Sequence, residues 1–281
     1  MSTTKRSSVK KKKKKNKPVL TLFFISLIAL IIICVFYYND RYKNNSTDNS
    51  LSMSVDNIVE TSPVEPDYIK SASNEYSIKG SDYSYPDSFY MDIPYISQYP
   101  ELPTGCEITS LTEVLHYLGY SIDKEDLASN YLEMKDVATK GCFVEYFWGS
   151  PWKTSGSGCF APAIANAANA FFKANKDSHT AYIMSYQPPE MLYAQLAKGK
   201  PVIVWTCFDY SVNEIKYNEV VLDDGTVFTW PRNEHCVVLS GYDIDKGTVT
   251  LADPTYGIVE RDMDRFEDYY KKYYYQAVVI E

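Results

Sequence analysis

One long uncharged segment lies near the start of the chain, where residues 19 to 38 read VLTLFFISLIALIIICVFYY. A helix of this length, rising about 1.5 Å per residue, spans about 30 Å, which is the thickness of the hydrocarbon core of a bilayer. The pattern therefore predicts a transmembrane helix. The segment ends in Tyr37 and Tyr38, and Asn39 and Asp40 follow, where a cleaved signal peptide would have small residues, so we expect an uncleaved signal anchor.

The next segment, residues 39 to 87, is rich in Ser, Asn, Asp, Tyr and Lys and has no sustained hydrophobic period. Such a segment cannot bury enough apolar surface to offset the entropy lost on ordering, so we predict a flexible stalk. Residues 88 to 281 carry repeated apolar segments and are numerous enough for one domain with a substantial core.

The clearest helical pattern in this domain is an apolar stripe at spacings of three and four, formed by Ile108, Leu111, Leu115 and Leu118. Gly119 predicts the end of the helix. Thr104, with Glu107 three residues later, fits a capping box that would place Cys106 in the first turn. Cys106 falls on the face opposite the stripe, so it is not an obvious core residue.

A cysteine in the first turn of a helix is a candidate nucleophile. Unpaired backbone N–H groups and the positive end of the helix dipole stabilise an anion there, and cysteine reacts as the thiolate. The alternative is a small buried hydrophobe, which is a common role of free cysteine.

A cysteine nucleophile usually needs a histidine as its base, and the chain has three histidines. His116 lies on the same predicted helix, about 15 Å from Cys106, which is too far for proton transfer, and we expect it at the surface. His179 falls in a polar loop. His235 opens the apolar strand HCVVLSGYD, and a hairpin with TVTLADP would bring Asp253 beside it to orient the imidazole. The alternatives are a strand-edge histidine and an aspartate in a turn.

Gln98 is a further candidate, because it lies shortly before Cys106 in the extended segment IPYISQYPELP. Its amide could donate to the oxyanion that forms when a thiolate attacks a carbonyl. The alternative is a polar loop residue without a catalytic role.

These residues carry a family likeness. The segments IPYISQYPELPTGCEITSLTEVLHYLGY, GSPWKTSGSGCFAPAIANAAN, GKPVIVW, EHCVVLSGYD and ADP, in that order along the chain, resemble the peptidase C-39-like family. Its members are related to the bacteriocin-leader-processing cysteine peptidases. The resemblance implies an α+β, papain-like fold in which a Cys-bearing helix packs on an antiparallel sheet. It also implies Cys106 as nucleophile, His235 as base, Asp253 as its orienting group and Gln98 as oxyanion donor.

Two departures concern the substrate. The leader-processing members are typically fused to an ATP-driven exporter, whereas this chain has one predicted span and no GxxxxGK[ST] loop. Glu107 follows the thiol where the exporter-linked enzymes usually have glycine, and its carboxylate should work against thiolate formation. Cleavage of a double-glycine leader is therefore not carried over to this chain.

Charge is divided unevenly along the 281 residues, whose net charge is −8. Nine Lys and Arg precede residue 18, and without them 19 basic residues face 36 acidic ones, a charge of −17. The basic tail, residues 1–18, favours a cytoplasmic N-terminus with everything after residue 38 outside the membrane. The acidic domain makes nucleic acid a poor partner. No CxxC or HExxH pattern is present, so we expect neither a metal nor another cofactor.

Together these observations predict a membrane-anchored extracellular cysteine peptidase, bacterial by its resemblance, that acts on a peptide or protein substrate outside the membrane. Two alternatives remain open: a thiol acyltransferase on the same scaffold, and a catalytically inactive surface binding or adhesion module. Cys142 and Cys159, both in the context GCF, are candidates for a disulfide.

Overall fold

The computed structural model of the chain describes residues 84–136 and 142–281, without the side chains of residues 142 and 143. The basic tail, the transmembrane helix predicted at residues 19–38 and the predicted stalk up to residue 83 lie outside the described residues. Within the described residues, no helix is long and apolar enough to cross a bilayer.

Helices and strands alternate irregularly along the described chain. The helices are α1 (Cys106–Tyr117), α2 (Lys124–Tyr131), α3 (Cys142–Glu145), α4 (Ala161–Asn175), α5 (Pro189–Ala197) and α6 (Met263–Lys272). The strands are β1 (Ser88–Tyr90), β2 (Met134–Lys135), β3 (Phe147–Trp148), β4 (Ala181–Ile183), β5 (Val202–Cys207), β6 (Tyr217–Val221), β7 (Val227–Pro231), β8 (Glu234–Asp243), β9 (Thr248–Asp253), β10 (Gly257–Asp262) and β11 (Ala277–Ile280).

The main sheet has seven strands, six of them in the order β10-β9-β8-β5-β11-β4, and every pairing is antiparallel. The remaining strand, β1, pairs with the far end of β8, beyond the residues that pair with β5. Two smaller sheets, β2 with β3 and β6 with β7, lie outside this order. The predicted α+β class with an antiparallel sheet is therefore confirmed.

Both faces of the main sheet are covered, which explains why all six residues of β5 are buried. Alternate side chains of a strand point to opposite faces. On one face, Ile203 and Trp205 pack with residues of α1, α2 and α4. On the other face, Val202 and Val204 pack with residues of α5 and α6. A strand buried on both faces needs a continuous apolar run, and VIVW supplies it.

The hairpin predicted from HCVVLSGYD and TVTLADP is confirmed. Strands β8 and β9 are antiparallel neighbours with Asp243 opposite Thr248 and Val238 opposite Ala252. This register brings the start of β8 to the end of β9. On its other edge β8 pairs with β5, where His235 lies opposite Thr206. The hairpin is thus held in the middle of the sheet, so the residues at this end have a fixed position.

Candidate active site

Cys106 is the first residue of α1, as the sequence predicts. The preceding residue, Gly105, caps the helix through its backbone, and a Cβ at that position would lie 2.9 Å from Leu102 Cβ and 3.0 Å from Pro151 Cβ. Glycine is therefore needed for the close approach of the incoming chain. The first N–H groups of a helix have no partner within it, so they and the helix dipole face the region of the thiol.

The predicted capping box is wrong. No side chain caps α1, and the Thr104 hydroxyl donates instead to the carbonyl oxygen of Lys153, at 3.0 Å. Glu107 turns inward, where its Oε1 accepts a hydrogen bond of 2.8 Å from the N–H of Cys159. Both residues of the expected box therefore bond to a distant part of the chain, residues 153 to 159, rather than to each other's backbone.

The helix face opposite the leucine stripe is also buried, contrary to the expectation for Cys106. Cys106 is 7% exposed, and Ser110 and Glu113 on the same face are fully buried. The reason is that β8 packs against this face, where the Ser110 hydroxyl donates to the carbonyl oxygen of Cys236 at 3.1 Å. The N-terminal turns of α1 therefore lie directly against the start of β8, which carries His235.

His235 and Asp253 are joined as the hairpin predicts. His235 Nε2 lies 2.8 Å from Asp253 Oδ1, and both side chains are almost completely buried. Oδ1 also accepts the N–H groups of Thr255, at 2.8 Å, and Tyr256, at 3.2 Å. Burial works to raise the pKa of Asp253, but these bonds and the charge of His235 outweigh it and hold that pKa below its ordinary value. With Nε2 occupied, Nδ1 is the ring nitrogen left to exchange a proton.

Gln98 is buried between the loop that leads into α1 and the turn that follows β9. Its Nε2 donates to the carbonyl oxygen of Pro103 at 3.0 Å, and its Oε1 accepts from the hydroxyl of Thr255 at 3.2 Å. Its backbone N–H donates to the carbonyl oxygen of Pro254 at 2.9 Å. An amide nitrogen has two hydrogens, so one remains for a further acceptor.

The other two histidines lie elsewhere. His116 is partly exposed near the end of α1, with Nε2 at 2.7 Å from the carbonyl oxygen of Ile122. His179 lies in the loop before β4, as predicted, and contacts Asp177. Neither has a hydrogen bond to Cys106 in the described structure.

The sequence profile of the Peptidase_C39 like family matches residues 90–278, which is most of the chain. The chain belongs to the peptidase C39-like family. The uncharacterized protein YvpB of Bacillus subtilis (strain 168) is 34% identical over 189 residues, which cover 65% of this chain and 71% of YvpB. The crystal structure of a protein described as a candidate C39-like peptidase from Bacillus anthracis superposes with a TM-score of 0.58, at 28% identity over 68% of this chain and 94% of that one. The predicted family is confirmed.

In this C39-like domain the thiol has an unexpected hydrogen-bond partner. Cys106 Sγ lies 3.4 Å from Glu107 Oε2, and no hydrogen bond joins it to His235 among the described residues. Burial raises the pKa of the Cys106 thiol well above its ordinary value, and the charges of Glu107 and Glu234 raise it further. The expectation that the neighbouring carboxylate opposes thiolate formation is therefore confirmed.

Sequence reasoning missed Glu234, whose carboxylate completes a cluster with Cys106 and Glu107. One ligand-type atom from each of the three lies within 4.8 Å of the others, and no other part of the described chain brings three such groups together. The set has one thiol, two carboxylates and no histidine, which falls short of the four N or S ligands of structural zinc sites. We assign no metal to it. The adjacency of Glu234 to His235 is the one sequence signal that could have indicated it.

Aromatic rings surround the histidine and were also missed. Phe208 meets the His235 ring edge to face at 5.1 Å between centroids, and Tyr256 lies 5.3 Å from Phe208. Tyr99 is close enough to the thiol that burial, followed by the charges of Cys106 and Asp253, raises the pKa of its phenol. Tyr99 is nevertheless 44% exposed, so its ring is near the thiol and also in contact with solvent.

Four cysteines of the domain, Cys106, Cys159, Cys207 and Cys236, are buried. Cys207 lies on β5 and Cys236 on β8. The side chain of Cys142 lies outside the described residues, so its pairing with Cys159 stays a prediction.

Proposed function

We propose that the chain is a cysteine peptidase that cleaves a peptide or amide bond through the thiol of Cys106. The observation that carries the proposal is the buried hydrogen bond between His235 and Asp253, at the start of the strand that packs against the first turns of the Cys106 helix. Family membership and the relative from Bacillus anthracis support the same chemistry.

In the first half of the reaction, Cys106 Sγ attacks the substrate carbonyl carbon while its proton passes to His235 Nδ1. The carbonyl oxygen becomes an oxyanion that accepts hydrogen bonds from the second amide hydrogen of Gln98 and from the Cys106 N–H. Asp253 holds the ring by Nε2 and stabilises the imidazolium with its negative charge. The imidazolium then protonates the leaving nitrogen, the C–N bond breaks, and a thioester remains on Cys106.

In the second half, a water molecule attacks the thioester carbonyl and gives one proton to His235. The same two donors hold the second oxyanion. The C–S bond breaks, the carboxylic acid product leaves, and the proton returns from His235 to Cys106 Sγ. Every proton taken up by the imidazole is thus returned within one cycle.

The proposal is tested with the purified full chain in detergent and a peptide library read by mass spectrometry. We expect new peptide termini to appear, and their formation to stop in proportion to the fraction of Cys106 modified by iodoacetamide. Undiminished cleavage by protein fully modified at Cys106 would contradict the proposal. An added amine that diverts product from acid to amide would identify the acyltransferase alternative. If every peptide in the library stays intact, the result would favour the binding module.

We further propose that residues 19–38 anchor the protein in the lipid bilayer, with the N-terminus in the cytoplasm and the catalytic domain outside. The uncharged segment and the nine preceding cations support this topology. Protease added to intact cells should remove a C-terminal epitope tag and spare an N-terminal one, and alkaline carbonate should not extract the protein. A protected C-terminal tag would overturn the orientation.

A further inference from the structure

The carboxyl groups of Glu107 and Glu234 lie beside the Cys106 thiol. Cys106 Sγ and one oxygen of each carboxyl group lie within 4.8 Å of one another. Glu107 is 0% exposed; Glu234 is partly exposed, but its Oε1 is inaccessible to solvent. Among the described residues, no lysine or arginine forms an ion pair with either carboxylate.

A glycine makes this approach possible. Gly158 has a φ of +145°, and a Cβ built on it would lie 2.7 Å from Glu107 Oε1 and 3.0 Å from Glu234 Oε2. Both distances are too short for a carbon atom against a carboxylate oxygen. The two carboxyl groups therefore occupy the space that any other residue at position 158 would fill.

The hydrogen bonds differ between the two carboxyl groups. Glu107 accepts from the Cys159 N–H through Oε1 and from the Cys106 thiol through Oε2. Glu234 Oε1 has no hydrogen-bond partner among the described residues. Two carboxylates this close repel each other, and protonation of one of them relieves the repulsion. The acceptors of Glu107 are already satisfied by donors, so the proton belongs on Glu234.

We propose that Glu107 and Glu234 hold one proton between them at neutral pH, and that this pair sets the pH at which Cys106 becomes a thiolate. Both residues act as positioning residues, since they work through Cys106. The pair itself needs no peptide substrate, and only its effect on turnover rests on the proposed function.

The ionisable groups around the pair are consistent with this assignment. On α1 they are Cys106 itself, and on β8 they are His235 and Cys236; Tyr273, after α6, faces Glu234. Burial raises the pKa of Glu107 to about 7, against the smaller lowering effects of its hydrogen bonds, including those from the Cys159 N–H and the Cys106 thiol, and of the His235 charge. Burial, and then the charge of Glu107, raises the pKa of Glu234 well above its ordinary value.

The direction of the effect follows from the charges. While the pair keeps a proton, at most one negative charge opposes ionisation of the thiol. As the pH rises and the last proton leaves, a second negative charge holds the thiol protonated to a higher pH. Removing either carboxylate therefore makes the thiolate form at lower pH.

The test is the rate of iodoacetamide modification at Cys106, measured by peptide mass spectrometry across pH 5 to 10 on the full chain. In Glu107→Gln the amide oxygen still accepts from Cys159 N–H, while its N–H can face Sγ. We expect the midpoint of this profile to fall by at least about one pH unit, a tenfold rise in thiolate at a given pH below the midpoint. Glu234→Gln should lower the midpoint by about half a pH unit or more.

Glu113→Gln is the matched control, because Glu113 is a buried carboxyl on the same helix whose Oε1 bonds to Ile96 N–H. Its midpoint should stay within about 0.3 units of wild type, and thermal melts identify the variants that fold. If Glu107→Gln does not fold, the midpoint measured for Glu234→Gln tests the proposal. A midpoint in the folded variants that is unchanged or higher than wild type overturns the inference. A shifted midpoint without peptide cleavage contradicts the peptidase assignment but supports the proposed effect of the carboxyl pair on Cys106.

Discussion

Replacing Cys106 by alanine is expected to lower kcat/KM for peptide cleavage by at least about 10⁴-fold, because the nucleophile that forms the thioester is lost. The oxyanion donors and the His235–Asp253 pair remain, so any residual cleavage reports their effect on direct attack by water. The substitution removes one buried sulfur atom, and we expect it to cost about 1 kcal/mol of stability. Steady-state kinetics and a urea unfolding curve on the same preparation measure the two effects.

Cys207→Ala is the matched control for this substitution. Cys207 is also a buried thiol, and its hydrogen bond goes to the backbone oxygen of Asp209 rather than to a residue of the proposed mechanism. We expect its kcat/KM to stay within about threefold of wild type, as for a core change away from the reacting atoms. Equal activities of Cys106→Ala and Cys207→Ala, with both folded, would rule out Cys106 as the nucleophile.

The second large effect is expected at Asp253, where alanine and asparagine should differ. Asp253→Ala removes the acceptor that holds His235 Nε2, and we expect kcat to fall by about 10³-fold or more. The kcat of Asp253→Asn should fall about tenfold less, because the N–H groups of Thr255 and Tyr256 would keep the amide oxygen in the place of Oδ1. The difference between the two variants separates orientation of the ring from stabilisation of its charge.

The same pair predicts a pH dependence of stability. The pKa of Asp253 is below its ordinary value in the folded protein, so its contribution is present above the unfolded value near 3.9 and is lost as the pH falls through the lower folded value. Unfolding free energies of wild type and Asp253→Asn should therefore converge in strong acid.

The kcat comparison has its own contradicting outcome. If kcat at neutral pH falls more in Asp253→Asn than in Asp253→Ala, the backbone does not fix the side-chain oxygen.

Local patterns were sufficient to predict the elements that carry the proposed site. The start of α1 at Cys106, the β8–β9 hairpin and the contact of His235 with Asp253 all depend on spacings within a few dozen residues. Turn residues and the alternation of apolar and polar positions are local features of the sequence, so they predict such contacts directly.

The failures came from contacts between distant segments. Thr104 and Glu107 match a capping box, but their partners lie 49 and 52 residues further along the chain. Ser110 lies on the face opposite the leucine stripe, yet its partner is 126 residues away on β8. Tertiary partners that satisfy a buried polar group outweigh local capping preferences, and no local period reveals them. The cluster of Cys106, Glu107 and Glu234 was missed for the same reason.

The orientation of the Gln98 amide depends on the main chain, because the carbonyl oxygen of Pro103 can only accept a hydrogen bond and so requires the nitrogen to face it. Exchange of neighbouring side chains leaves that carbonyl in place. The donor proposed for the oxyanion should consequently survive extensive sequence divergence in the surrounding loops. For protein engineering, this means that exposed residues near the thiol such as Tyr99 can be varied without reversing the amide on which the proposed chemistry relies.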